Sequence, residues 1–265
     1  MRVFITGGKG FIGSRVVKEL KKRKHTVHLL SARLGKTSAV EKELKKFKPD
    51  CVIHLAWEGL PDIGPIMSAR NKSYGLNLFK LIEKYKIPKL ICTGTAWEYE
   101  TERELKAHKH EAFINAKRAL RVFGKKIMAR QGGIFIWAIP FFVYGNGKKA
   151  ASLVPSLFVQ AKRGETPMPR NPDAWHDFIY VDDVAKAVVL LAEKKVKSGT
   201  YDIGTGTLTR TGKIAREVAR LYKLPSIKLH SISKKGVRAD THPLKKAITW
   251  APKTNVSKGL RAMLQ

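Results

Sequence analysis

Residues 1–22 narrow the fold more than any other stretch. A strand-like apolar run at 3–6 meets the glycine turn Thr6-Gly7-Gly8-Lys9-Gly10-Phe11-Ile12-Gly13, and a helical run follows from Phe11 to about Lys22. Ile12, Val16, Val17 and Leu20 recur at helical spacing and share one face of that run. Strand, glycine turn and helix in this order bring the backbone and a helix amino terminus close to any phosphate lying there, which points to a dinucleotide. The competing reading of the same residues is a tight turn with no ligand.

The pattern then repeats. Strand-like runs at 25–30, 51–56, 89–93 and 134–140 alternate with helical runs at 39–48, 66–86 and 112–130. Alternation of this kind predicts an α/β fold, a doubly wound parallel sheet with helices on both faces. Beyond residue 145 the pattern loosens. Gly145-Asn146-Gly147 and the Pro-rich segment 165–172 bracket a helix at 152–163, and a strand at 178–181 leads to a helix through 194 with Asp182 as its cap. A strand at 200–203 follows, then a helix at 210–222 capped by Thr209, and a last helix started by Asn255 or Ser257. The boundaries read are 1–145 with 176–203 for a dinucleotide-binding domain, and 146–175 with 204–265 for a smaller, mainly carboxy-terminal α/β domain.

Composition excludes several classes. Cys51 and Cys92 each sit inside an apolar run, so a disulfide framework and a cysteine-ligated metal site are both ruled out, and no metal is expected. No apolar window approaches the roughly 18 residues needed to cross a bilayer, and the chain opens on a strand without a leader-like segment, so a soluble, cytoplasmic protein is expected. The formal charge is +31, but the basic residues are spread along the whole chain instead of gathering in a tail. Nucleic acid is therefore a partner only through general basic charge.

The end of the second strand is where an acidic residue usually bonds the adenosine ribose of NAD. Here it reads Ser31-Ala32-Arg33, a serine and a basic residue suited to a 2′-phosphate, which favours NADP over NAD.

With these pieces in place the chain resembles the extended short-chain dehydrogenase/reductases, specifically the NAD(P)-dependent nucleotide-sugar epimerases and dehydratases. The resemblance rests on the glycine motif, Val52-Ile53-His54-Leu55-Ala56, Thr93-Gly94-Thr95-Ala96-Trp97-Glu98-Tyr99 and Val143-Tyr144-Gly145. It continues through Asp177-Phe178-Ile179-Tyr180-Val181-Asp182-Asp183-Val184-Ala185, Arg238-Ala239-Asp240-Thr241 and Trp250-Ala251-Pro252. It implies a Rossmann domain that holds the cofactor through Gly7, Gly10, Phe11, Ile12, Gly13, Ser31, Arg33, Leu55, Ala56, Thr93, Lys117, Pro140 and Val143. A nucleotide sugar would meet Thr95, Phe142, Asn146, Ser152 and Arg238, with Lys162 or Arg163 as further basic candidates. It also implies a homodimer through helices 66–86 and 112–130, against which Lys84, Lys86, Arg121, Lys125 and Lys126 weigh unless they point outward.

The chemistry implied is hydride exchange between sugar and nicotinamide. A Ser/Thr hydroxyl (Thr95) holds the reacting oxygen, and a tyrosine acts as acid/base beside a lysine one helical turn later (Lys117). The tyrosine position is Phe113, in Phe113-Ile114-Asn115-Ala116-Lys117. Three explanations stand: a substitution made to trap a ligand, a relative with lost or changed activity, or a substitute proton donor among Tyr99, His108 and His110. Ile139, Phe142 and His176 also stand where relatives show Arg, Asn and Arg, which predicts a more apolar substrate pocket. The leading reading is an epimerase/dehydratase-like oxidoreductase impaired by Phe113. The alternative is an inactive NAD(P)-binding or RNA/polyanion-binding protein on the same fold.

Overall fold

A computed structural model describes residues 1–60, 63–100, 110–148 and 152–264. The chain divides into two compact units, Met1–Ile139 with Ala185–Tyr201, and Pro140–Val184 with Asp202–Gln265.

The first unit is built on β1 (Arg2–Thr6), β2 (Thr26–Leu29), β3 (Cys51–His54), β4 (Lys89–Thr93), β5 (Ile134–Pro140) and β9 (Gly199–Ile203), in the order β2-β1-β3-β4-β5-β9. Neighbours from β2 to β5 run parallel, with Val3 opposite Val27 and Cys51, Ile53 opposite Ile91, and Cys92 opposite Trp137. β3 is buried along its whole length, as its unbroken apolar run requires in a sheet covered on both faces. Strand order reverses between β1 and β3. In open α/β sheets ligands bind beyond the carboxyl ends of the strands at such a reversal.

The helices follow from spacing. In α1 (Phe11–Lys22) Gly13, Val16 and Leu20 are buried, and in α2 (Thr37–Phe47) Val40 and Leu44 are. α3 (Pro65–Lys84) and α4 (Glu111–Arg130) pack together. Their approach is close because Gly75 faces Leu120, whose Cδ2 lies 2.7 Å from where a Cβ would stand. Lys84 pairs with Glu41 at 2.6 Å and Arg121 lies 3.3 Å from the buried Glu98, whereas Lys125 and Lys126 are exposed. At the far edge, Lys89 donates to the carbonyls of Leu191, Ala192 and Lys194, supplying a cation to the last turn of α6 (Val181–Glu193) and the residue beyond it.

In the second unit β6 (Phe142–Tyr144) pairs in parallel with β8 (Phe178–Tyr180), and β7 (Trp175–His176) pairs antiparallel with β10 (Thr209–Arg210). α5 (Leu153–Lys162) packs on α7 (Thr211–Leu221) over a core holding Leu157, Phe158, Ile214 and Val218. Two short helices complete it, α8 (His242–Ile248) and α9 (Val256–Arg261). The fully buried Asp177 carboxylate accepts from the Thr205 amide and hydroxyl and from the Gly206 and Ala239 amides, so one side chain fastens three loops.

Several expectations change. The units part after Ile139, not 145, and residues 176–184 join the second unit, because β6 pairs with β8 there. Asp182 is not a cap but lies inside the first turn of α6, where its charge still suits the helix dipole. Thr209 is in β10, and α7 begins after Arg210 with no side-chain cap. Of the two candidates for the last helix, Asn255 is the cap, accepting from the Lys258 amide at 2.9 Å. α8 went unanticipated.

Candidate functional site

Within the first unit a cavity of about 450 Å³ opens at the carboxyl ends of β1, β3 and β4. Its wall brings together Thr6, Gly7, Gly10, Phe11, Ile12 and Gly13, and across from them Leu55, Ala56, Trp57 and Thr93. Leu30, Ala32, Arg33 and Leu34 close the side beyond β2.

Three of the four motif glycines divide the work. Gly7 has φ +74°, and a Cβ there would lie 2.6 Å from the Ala56 amide nitrogen; at Gly13 it would lie 2.0 Å from the Gly7 carbonyl oxygen. Both are needed for the turn itself. Gly10 meets only the Gly7 oxygen, at 3.2 Å, so its open side faces free space. It is also the amino-terminal cap of α1, with no side-chain cap and no acidic residue in the first turn. A bare helix terminus with an open glycine is fitted to a pyrophosphate, which supplies the acceptors its amides lack. The residues present therefore fit a dinucleotide cofactor. The Trp57 indole nitrogen, on a residue of the cavity wall, is buried without a hydrogen-bond partner.

Next to this cavity lies a second set of predicted residues. Lys117 on α4 is 8% exposed, donates to the Thr93 carbonyl at 2.7 Å and stands over the rings of Trp57 (4.6 Å) and Phe113 (5.7 Å). Phe113 meets Trp57 edge-on at 4.8 Å and Trp97 at 6.2 Å. Thr95 caps a single 3₁₀ turn, Ala96–Tyr99, and its backbone is held by Glu98, which accepts from the Thr95 amide and the Trp137 indole. Burial raises the pKa of Glu98 above the ordinary carboxylate range. His54, behind the site, shares a 2.6 Å hydrogen bond with Thr6, and burial lowers its pKa to about 3, so it stays neutral.

Of the substitute donors, Tyr99 is 45% exposed, His110 stacks on Trp97 at 4.9 Å, and His108 lies outside the described residues. Ser31 donates its hydroxyl to Glu43 at 2.6 Å, while its neighbours Ala32 and Arg33 line the cavity. Glu43, on α2, was not anticipated from sequence.

Burial lowers the Lys117 pKa to about 8 from 10.5, with Glu98 partly offsetting it. Between those values the unfolded chain holds a proton the folded chain has released, so this lysine makes stability rise as pH climbs from about 8 towards 10.5. Lys117→Met is expected to flatten that rise and to stabilise the fold by about 1–2 kcal/mol at neutral pH, the lost bond to Thr93 offsetting part of the relief. Urea unfolding of both proteins at neutral and alkaline pH reads this directly; an unchanged slope would refute it.

In the second unit Phe142, Val143 and Ser152 line a small cavity of about 50 Å³ with Lys148. Burial lowers the Lys148 pKa to about 8. A larger one of about 510 Å³ is lined by Ser156, Gln160, Arg170, Asn171, His176 and Thr211 among others. His176 stacks on Phe142 at 3.7 Å, and burial lowers its pKa to about 4. Asn146 donates to the Ala262 carbonyl, Pro140 ends β5 half-buried, and Lys162, Arg163 and Arg238 are exposed outside these two cavities. Among the described residues no cluster of three or more His, Cys, Asp or Glu could hold a metal, and no helix is long and apolar enough to cross a membrane.

Known proteins match this chain along most of its length. It is 28% identical to GDP-6-deoxy-D-talose 4-dehydrogenase from Aggregatibacter actinomycetemcomitans, over 78% of this chain and 75% of that protein. It is 22% identical to CDP-abequose synthase from Salmonella muenchen, over 99% and 97%. Among solved structures, UDP-glucose 4-epimerase from Thermotoga maritima superposes with a TM-score of 0.84 at 21% identity, over 100% of this chain and 97% of that one. The Thermus thermophilus UDP-glucose 4-epimerase complex with NAD superposes at 0.80 and 23%, over 100% and 98%. The model of the NAD dependent epimerase/dehydratase family matches residues 3–204, and the chain belongs to that family.

Proposed function

We propose that the protein is an NAD(P)-dependent oxidoreductase or epimerase of a nucleotide-linked sugar, with the dinucleotide in the first-unit cavity. The observation that carries this reading is the open Gly10 at the uncapped amino terminus of α1, which leaves a floor for a pyrophosphate where a side chain would stand. The names of the relatives support the substrate class, since both curated proteins are named for nucleotide-linked sugars.

When bound, the nicotinamide supplies hydride exchange at a sugar carbon. The chain's own residues do the rest. Gly10 and the α1 amides would hold the pyrophosphate, with Leu55, Ala56 and Thr93 in the wall of the same cavity. Lys117, fixed by the Thr93 carbonyl, would offer a positive charge and a donor to the nicotinamide ribose. Thr95 keeps a hydroxyl for the reacting sugar oxygen.

One observation favours a second reading, of a binding protein without turnover. Phe113, packed on Trp57, presents carbon where a tyrosine would exchange the proton. Titration with NAD(H) and NADP(H), read by tryptophan quenching at low and high salt and followed by assay on GDP-, CDP-, UDP- and dTDP-linked sugars, separates the two. Salt-resistant dinucleotide binding with turnover on one of these sugars is expected. Binding without turnover favours the second reading. Absence of binding, or binding lost between ~50 and ~200 mM salt as counterion release would make it, overturns the cofactor site.

A further inference from the structure

The β2–α2 connection carries an anion of its own. Glu43, on the second turn of α2, reaches back to the end of β2, where its carboxylate accepts four hydrogen bonds. These come from the Ser31 hydroxyl (2.6 Å) and amide (3.1 Å), the Ala32 amide (3.0 Å) and the His28 ring (2.7 Å). Two consecutive amides, a hydroxyl and an imidazole converging on one point are the donor set of a small anion site, here filled from within. Although burial alone would raise the Glu43 pKa, the bonds from Ser31, His28 and Ala32 bring it down to about 2, so the charge is permanent at neutral pH.

The same loop borders the cofactor cavity through Leu30, Ala32, Arg33 and Leu34. A 2′-phosphate on the adenosine ribose adds nearly two negative charges and needs donors from this loop, whereas a 2′-hydroxyl adds none. Of the loop groups that could serve the phosphate, the Ser31 hydroxyl and the Ser31 and Ala32 amides are engaged by Glu43, leaving Arg33 in the cavity wall, and the carboxylate behind them repels the phosphate. We propose that Glu43 acts as an internal substitute for the 2′-phosphate and makes the site take NAD(H) and reject NADP(H). The role given to the acidic residue usual at the end of β2 thus falls to a side chain from α2. Ser31, which by sequence favours NADP, here spends its hydroxyl and amide on Glu43, whose charge does the excluding. The inference rests on the dinucleotide reading of the cavity.

The test is a pair of dissociation constants, for NADH and NADPH, measured by fluorescence titration on the full chain and on two variants. The unaltered protein is expected to hold NADH about tenfold more tightly or better. Glu43→Gln, which keeps an acceptor for Ser31 but removes the charge, is expected to shift the ratio about tenfold towards NADPH. Ser31→Ala leaves the carboxylate in place and is expected to retain the NADH preference. Equal or tighter binding of NADPH by the unaltered protein overturns the inference while leaving the cofactor site standing. An unshifted ratio in a folded Glu43→Gln, or a preference lost in Ser31→Ala, does the same. Failure of both nucleotides to bind overturns the site and this inference together.

Discussion

Phe113→Tyr is expected to raise turnover on a nucleotide sugar by about 10²–10⁴-fold, the range over which a positioned acid/base group acts. The surroundings are already set for the hydroxyl. Phe113 is only 9% exposed, its ring is held edge-on by Trp57, and Lys117 lies one helical turn later with Nζ 5.7 Å from the ring. A phenol introduced there meets a buried ammonium that lowers its pKa towards neutrality, the range in which proton exchange is efficient. Phe113→Tyr paired with Lys117→Met tests the coupling, since most of the gain should vanish in the double variant while single Lys117→Met changes the slow background far less. If Phe113→Tyr binds NADH and turns over no faster than the unaltered protein, the proton comes from another group and the oxidoreductase reading of Thr95 and Lys117 loses its main support.

The second large effect separates fold from function inside the glycine turn. Gly13→Ala would place a Cβ 2.0 Å from the Gly7 oxygen and 2.8 Å from its carbonyl carbon, atoms of a tight turn that cannot step aside. A destabilisation of about 3 kcal/mol follows from such overpacking, or about 10 °C in Tm for a chain of this size. Gly10→Val meets a single neighbour at 3.2 Å and leaves that turn intact, so its Tm should stay within about 2 °C. Its cofactor affinity should fall on the order of 100-fold, because the side chain fills the approach of the pyrophosphate. Thermal unfolding and NADH titration on both variants give the answer together. A Gly10→Val protein that binds NADH normally would remove the glycine floor from the argument.

How far the sequence could be read depends on the range over which each feature is determined. The β1–turn–α1 unit was legible because everything that defines it lies within consecutive residues. β3 and β4 were legible because burial on both faces leaves continuous apolar runs. Phe113 and Lys117 were legible through the resemblance, whose motif sets them four residues apart on one helical face, and the structure stacks both against Trp57.

Glu43 was not legible. Its partners are Ser31 and Ala32, and neither periodicity nor composition marks a side chain that folds back from α2 to meet them. The unit boundary was missed for a related reason. Alternation identifies β6 and β8 as strands but not as each other's neighbours. α8 is seven residues long and begins with a proline and no side-chain cap, so it carried none of the usual starting signals. β7 and β10 are two residues each, too short to carry a period.

The place of β9 in the sheet bears on how the protein is made. β5 is completed at Pro140, yet its outer neighbour is Gly199–Ile203, and the helix end that Lys89 grips comes only at residues 191–194. A chain growing from its amino terminus must therefore carry β5 as an unpaired edge, with Trp137 on it, while the whole of 140–184 is synthesised. Open apolar edges of this kind invite pairing with other chains. For this protein the hazardous interval of biogenesis ends when a strand of the second half returns to close the first.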